Sequence, residues 1–167
     1  QGSITETDLV EPYLDHALSF VDTDLSGLTV AYDAMHGSGR GVTDDLLERA
    51  GADVVRLRCE LDPEFGGTPP EPEAERLEAL IETVADGEAD IGIANDGDAD
   101  RVAVVTPEGG FLDPSLQYAV LFDHVAGEDA APAVRTVSTS SVVDRVAEDH
   151  GAEIVETAVG FKWVAQA

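Results

Sequence analysis

Lysine is almost absent from this chain. Among 167 residues there is one, Lys162, and basic residues of both kinds number 9 against 35 acidic ones, a formal net charge of −26. Phosphate backbones need a basic stripe, so nucleic acid is excluded as a partner, and an anionic membrane surface with it. Cysteine is equally scarce. Cys59 stands alone, so no disulfide forms within the chain and the thiol reads as a small buried hydrophobe. No apolar run approaches the roughly 18 residues of a membrane-spanning helix, and no signal peptide is visible. Aromatics are few, at 5%, but total apolar content is an ordinary 43%, enough to fill a core. The acids are dispersed through apolar-periodic segments, not blocked into a tail, which argues against disorder. The remaining explanation is adaptation to a cytoplasm of high salt. At molar salt the Debye length is about 3 Å, so self-repulsion is screened. The missing initiating Met and the abrupt end in "FKWVAQA" imply a piece of a longer protein.

Periodicity gives an alternation of strands and helices. Helices are expected over 8–22, 42–51, 73–87 and 113–127. Strands are expected at "LTVAYDA" (28–34), "ADVVRLR" (52–58), "ADIGIAN" (89–95) and "RVAVVTP" (101–107). "EDAAPA" reads as a linker, after which strand, helix, strand and the start of a helix follow again. The expected fold is α/β: a three-layer α/β/α sandwich on a small mixed sheet with an antiparallel edge strand, followed by an incomplete second α/β unit. The expected limits are 1–127 for the first domain, 128–132 for the linker and 133–167 for the second unit. That unit, of roughly 35 residues, falls short of the 50 or more of a usual domain.

Within this acidic background one stretch stands out, "ANDGDADR" (94–101). With 19 aspartates in the chain, a D-x-D-x-D triplet arises by chance in roughly one such chain in four. Requiring the Gly and the trailing Arg lowers that to about one in a thousand. The stretch sits between two apolar strands, at a tight connection too short for a parallel crossover, so the flanking strands should run antiparallel. Asp96, Asp98 and Asp100 crowd three carboxylates onto one turn, and a divalent cation relieves their repulsion. Ligands that are all carboxylates suit a hard cation such as Mg²⁺. An EF-hand loop does not fit: counted from Asp96, the sixth position is Arg101 and the twelfth is Pro107. A structural Ca²⁺ domain is disfavoured for the same reason. Arg101 has two compatible readings, a salt bridge to the Asp loop or a phosphate contact.

"HGSGRG" (36–41) follows a strand and precedes a helix, where backbone N–H groups can hold phosphate. Its glycines fall at 37, 39 and 41, which is not G-x-G-x-x-G. The alternative functional reading is a nucleotide-binding α/β module using this turn; the plainer one is a tight strand-to-helix connection. The four histidines (16, 36, 124 and 150) are scattered and fit no metal spacing.

These segments together resemble the α-D-phosphohexomutases, the phosphoglucomutase/phosphomannomutase superfamily. "GIANDGDADRVAVVTPEGGFLDP" resembles its metal-binding segment, "VAYDAMHGSG" the opening of its second domain, and "DPEFGGTPPEPE" its Pro-rich loop. "VRTVSTSSVVDRVAEDHGAEIVETAVGFKWVAQA" resembles the beginning of its third domain. The resemblance implies a cytoplasmic four-domain enzyme that interconverts hexose 1-phosphate and hexose 6-phosphate through a phosphoserine and a bisphosphorylated sugar. It implies Mg²⁺ held by Asp96, Asp98, Asp100 and the phosphoserine, with Arg101 beside that phosphoserine. Lys162, in "VGFKW", matches the lysine proposed to assist proton transfer; otherwise it is a surface lysine at a helix end. "VGFKW" and "TVSTSSVVDRVAE" lean towards the phosphoglucomutase/phosphomannomutase branch over the phosphoglucosamine branch. The serine loop of the T-A-S-H-N-P kind, the sugar-selecting G-E-x-S-G-H loop and the phosphate-gripping loop of the fourth domain are not in the chain. The resemblance therefore implies a metal loop without its nucleophile. The missing first and fourth domains and the rest of the third become its expected partners.

The acidic surface makes a testable statement. Thermal unfolding followed by circular dichroism should shift to higher temperature between dilute buffer and molar KCl. An unchanged melt would count against adaptation to salt.

Overall fold

A computed structural model describes residues 2–21, 23–127 and 130–167. The chain divides into two compact units, 1–111 and 112–167. The first is an α/β domain on a five-stranded mixed sheet; the second is a small parallel α/β unit.

The first unit runs α1 (Val10–Phe20), β1 (Thr29–Asp33), α2 (Thr43–Arg49), β2 (Asp53–Leu57), two 3₁₀ turns (Phe65–Gly67 and Ala74–Arg76), α3 (Glu78–Ala85), β3 (Ile91–Asn95), β4 (Val102–Thr106) and β5 (Gly110–Phe111). The sheet order is β2-β1-β3-β4-β5. β1 pairs parallel with both β2 and β3, while β3–β4 and β4–β5 are antiparallel. The expected reversal across the Asp loop is therefore present. The "EGG" turn also returns a short edge strand, β5, which the sequence reading treats only as a turn.

Strand parity separates the two faces of the sheet. Ala31 of β1, Ala94 of β3, and Ala103 and Val105 of β4 join Leu77, Leu80 and Val84 in one buried cluster under α3. Small residues on the strands let that helix lie close: a Cβ on Gly92 would stand 3.0 Å from Leu80 Cδ1 and from Val84 Cγ2. Tyr32 has the opposite parity, and its hydroxyl side meets Gly39 and Thr43 at the start of α2. β1 lies inside the sheet, between β2 and β3, and is buried on both faces, as a parallel strand between helical layers must be.

The expected helix 73–87 is divided. Residues 74–76 form a 3₁₀ turn and α3 starts at Glu78, with Leu77 at φ −113° and ψ 24° between them. The Arg76 carbonyl accepts from Arg58 Nη2 at 3.0 Å, so it is engaged outside any helical ladder. α1 carries the expected apolar stripe but buries only Leu14.

The second unit holds α4 (Pro114–Val125), β6 (Ala133–Thr136), α5 (Val142–Asp149), β7 (Ile154–Thr157) and α6 (Phe161–Val164), with β6 and β7 parallel. Asp113 caps α4 by accepting from the Ser115 and Leu116 N–H groups, and Pro114 occupies the first turn. This helix moves the expected boundary. Ala119 and Phe122 pack with Ala133, Val143 and Ala147, so α4 belongs to the second unit and the division falls after Phe111 instead of after residue 127. The expected linker 128–132 lies within that unit, and its first two residues fall outside the described ones. Among the described residues no helix is long and apolar enough to cross a membrane.

Leu80 is fully buried where α3 meets the sheet. Leu80→Ala should lower unfolding stability by about 2–5 kcal/mol in denaturant titrations run in molar KCl. A loss under about 1 kcal/mol would mean that this interface is not the core.

Candidate metal centre

Parallel pairing fixes where the loops meet. β1, β2 and β3 run the same way, so the segments leaving their carboxyl ends gather on one edge of the sheet. These segments are the "HGSGRG" turn after β1, the Pro-rich loop after β2 and the Asp loop after β3. Their contacts converge on Gly97. Its N–H donates to the Pro70 carbonyl at 3.0 Å, and its carbonyl accepts from the Ser38 N–H at 2.9 Å. A Cβ on Gly37 would stand 2.8 Å from the carbonyl oxygens of both Asp96 and Gly97, so no side chain fits there.

The loop spans 96–101 between β3 and β4. The Ala99 N–H donates to the Asp96 carbonyl at 3.1 Å, and Ala99 takes the left-handed region, φ 61°. An L-residue pays roughly 1–2 kcal/mol for that conformation. The tip folds back, and one carboxylate oxygen each from Asp96, Asp98 and Asp100 comes within 4.8 Å of the others. Asp96 is buried, at 1% exposure, while Asp98 and Asp100 face solvent.

Asp96 is locked by Arg101. Its Oδ1 accepts the Arg101 backbone N–H at 3.0 Å and its Oδ2 accepts Nε at 2.6 Å. Burial works to raise the Asp96 pKa, but those Arg101 contacts outweigh it and hold the carboxyl below the usual range. Asp100 goes the other way. The negative charge of Asp98, followed by the proximity of Asp96, pushes it up. The tip is thus a crowded anion. A carboxylate oxygen has two lone-pair sites, so both Asp96 oxygens can accept from Arg101 and still face a cation. Oxygen-only donors, one of them rigidly placed, fit a hard divalent ion such as Mg²⁺.

The "HGSGRG" turn is engaged elsewhere. Its Gly37 N–H bonds the Ala34 carbonyl at 2.7 Å, Ser38 bonds Gly97, and the Gly41 N–H bonds Asp44 Oδ1 at 2.6 Å. Donors that a phosphate would need are used to seat the Asp loop and to start α2. Gly37 and Gly39 serve close packing here, and the nucleotide-binding alternative gains no support.

The family model for phosphoglucomutase/phosphomannomutase α/β/α domain II matches residues 11–109, and that for domain III matches residues 114–167. The chain belongs to the phosphoglucomutase/phosphomannomutase family. A Thermococcus kodakarensis protein named phosphoglucomutase/phosphomannomutase is 32% identical over 99% of this chain and 37% of its own length. A Methanopyrus kandleri protein named "Probable phosphoglucosamine mutase" is 37% identical over 93% of this chain and 34% of its own. A second Thermococcus kodakarensis relative, 31% identical over 94% of this chain and 35% of its own, is named phosphopentomutase. The crystal structure of a family protein from Burkholderia thailandensis superposes with a TM-score of 0.87 at 25% identity, covering 95% of this chain and 35% of that one. The chain therefore spans about a third of the length of its relatives. Their names include several sugars, and the lean towards one branch is not carried by these likenesses.

Of the residues singled out in this phosphoglucomutase/phosphomannomutase chain, Asp96, Asp98, Asp100 and Arg101 come together in the first unit. Lys162 lies in the second, exposed on α6, with Nζ 5.0 Å from the centroid of the Trp163 ring. Residues that the sequence reading leaves unassigned also hold the loop. Pro70 acts through a backbone carbonyl, which no side-chain pattern announces. Asn95 acts through its amide, and its signal was a polar residue closing the apolar strand "IGIAN".

Gly37 offers a direct check. Gly37→Ala should weaken Mn²⁺ binding, read by electron paramagnetic resonance, by about tenfold or more. Wild-type affinity in a folded variant would mean that this close approach does not shape the loop.

Proposed function

We propose that this chain is the second domain and the opening of the third domain of a cytoplasmic phosphohexomutase, an enzyme interconverting hexose 1-phosphate and hexose 6-phosphate. The supporting observation is the convergence of Asp96, Asp98 and Asp100, with Asp96 locked by Arg101, inside a chain of this family. Asp96, Asp98 and Asp100 hold Mg²⁺ in this reading. When bound, Mg²⁺ neutralises phosphoryl charge, the main demand of such a transfer besides positioning.

The chain's own groups do the rest of the local work. Arg101 gives Nε to Asp96, and its two Nη nitrogens make no hydrogen bond among the described residues. In this reading they meet phosphoryl oxygens and balance the charge of a phosphoserine. Lys162 is the group assigned to proton transfer at the sugar hydroxyl. Its neighbour Trp163 holds the ammonium over an aromatic face, which limits its rotamers. The serine nucleophile comes from another domain of the full-length protein, so the 167-residue chain alone should turn over no hexose phosphate.

The test is a kinetic one on the full-length parent with glucose 1-phosphate and mannose 1-phosphate as substrates. Asp98→Asn should lower kcat by about a hundredfold or more. Full activity in that variant would overturn the metal assignment, and no turnover of either sugar by the parent would overturn the substrate class.

A further inference from the structure

Asn95 closes β3 and sits half-buried at the base of the Asp loop. Its amide makes three hydrogen bonds: Oδ1 accepts from Tyr32 Oη at 3.0 Å and from Thr43 Oγ1 at 3.3 Å, and Nδ2 donates to the Arg101 carbonyl at 2.9 Å. The orientation of the amide is determined. A backbone carbonyl can only accept, so the nitrogen must face Arg101 and the oxygen must face the two hydroxyls. Tyr32 is fully buried, and burial above all pushes its hydroxyl up to about 12, so it stays a donor at any working pH. A Cβ on Gly39 would collide with that hydroxyl, so the turn passes the pair without a side chain.

The geometry points to Asn95 as the positioning residue of the metal loop, fastening the Arg101 backbone to β1 and α2 so that Arg101 presents Asp96 to the cation. This rests on the metal reading proposed above. The strand ladder already pairs Asn95 with Val102, so the hairpin closes without the side chain. What the side chain adds is a fixed place for Arg101. The Arg101 carbonyl is tied to Asn95 while its N–H and Nε are tied to Asp96. A displacement of Arg101 would move the one buried ligand. Tyr32 and Thr43 lie outside the loop, on elements of the sandwich itself, and a small polar network of this kind holds its members more firmly than separate pairs would.

The experiment uses the 167-residue chain in molar KCl, with Mn²⁺ as the probe read by electron paramagnetic resonance and amide hydrogen exchange read in parallel. Asn95→Ala should weaken Mn²⁺ binding by about tenfold or more, as loss of an outer-shell partner does. Exchange at the Arg101 N–H should accelerate while the Ala31 and Ala94 amides keep their protection. Tyr32→Phe should move both readouts the same way by a smaller factor. Mn²⁺ affinity within twofold of wild type in Asn95→Ala overturns the inference. So does equal loss of protection in the loop and the core, which would make Asn95 merely structural. If Asn95→Ala does not fold, Tyr32→Phe decides by the same criterion, and unchanged affinity there overturns the inference. Asp98→Asn separates the two levels. An Asp98→Asn chain that binds Mn²⁺ like wild type overturns the metal assignment itself, whereas loss of Mn²⁺ in Asp98→Asn with none in Asn95→Ala overturns only the positioning role.

Discussion

A carboxylate at 1% exposure is tolerable only with a partner, and the contact of Arg101 with Asp96 supplies it. The two residues enclose the loop they hold, so the same pair that permits burial also fixes the curvature of the turn. Asp96 cannot leave without abandoning a charge-assisted bond and a backbone bond together. The exposed Asp98 and Asp100 share the short tip with it, so their carboxylates crowd each other and Asp96. The raised pKa of Asp100, driven first by Asp98, records that crowding.

The sheet topology brings the supports of this loop to it. Because three neighbouring strands are parallel, the chain passes the same edge after β1, β2 and β3. Each passage leaves something there: Gly37 and Ser38, then Pro70, then the Asp loop. Two consecutive residues with positive φ, Met35 and His36, bend the first passage. His36 is held by its N–H on the Arg58 carbonyl at 2.8 Å and by Nδ1 on the Glu60 carbonyl at 3.1 Å. Asp33, fully buried, is met by Arg58 and by the Met35 N–H. The bend after β1 is thus held by the Arg58–Asp33 ion pair and by backbone bonds at the root of the next loop.

Much of this could be read in the sequence because it depends on local pattern. Alternating and continuous apolar runs placed β1 to β4 to within two residues, and the short Asp loop forced the antiparallel return. What escaped depends on partners distant in sequence. Nothing in "EAERLEALIETVADG" shows that Arg58 will take the Arg76 carbonyl and divide the helix. Nothing in "DPSLQYAVLFDHVAG" says whether its apolar face belongs to the strands before it or to those after it. Phe122 and Ala119 settle that only by packing against Val143 and Ala147. The glycines of "HGSGRG" were legible as a turn, but the reason for Gly37, the backbone of Gly97, lies some sixty residues away in the chain and beside it in the fold.

Charge alone does not make the metal centre. With 35 acidic residues, a cation could be attracted almost anywhere on this surface. Three other groups of acids gather on arginines: Asp44, Asp45 and Glu48 around Arg56, Glu71 and Glu73 around Arg76, and Asp144 and Glu156 around Arg135. In each of these sets the guanidinium already occupies the place a cation would take. In the Asp loop the arginine takes Asp96 with its Nε, and one carboxylate oxygen each from three aspartates comes within 4.8 Å of the others. Selectivity for this site therefore comes from convergence at ligand distance, and convergence is what the Arg101 lock and the left-handed Ala99 provide.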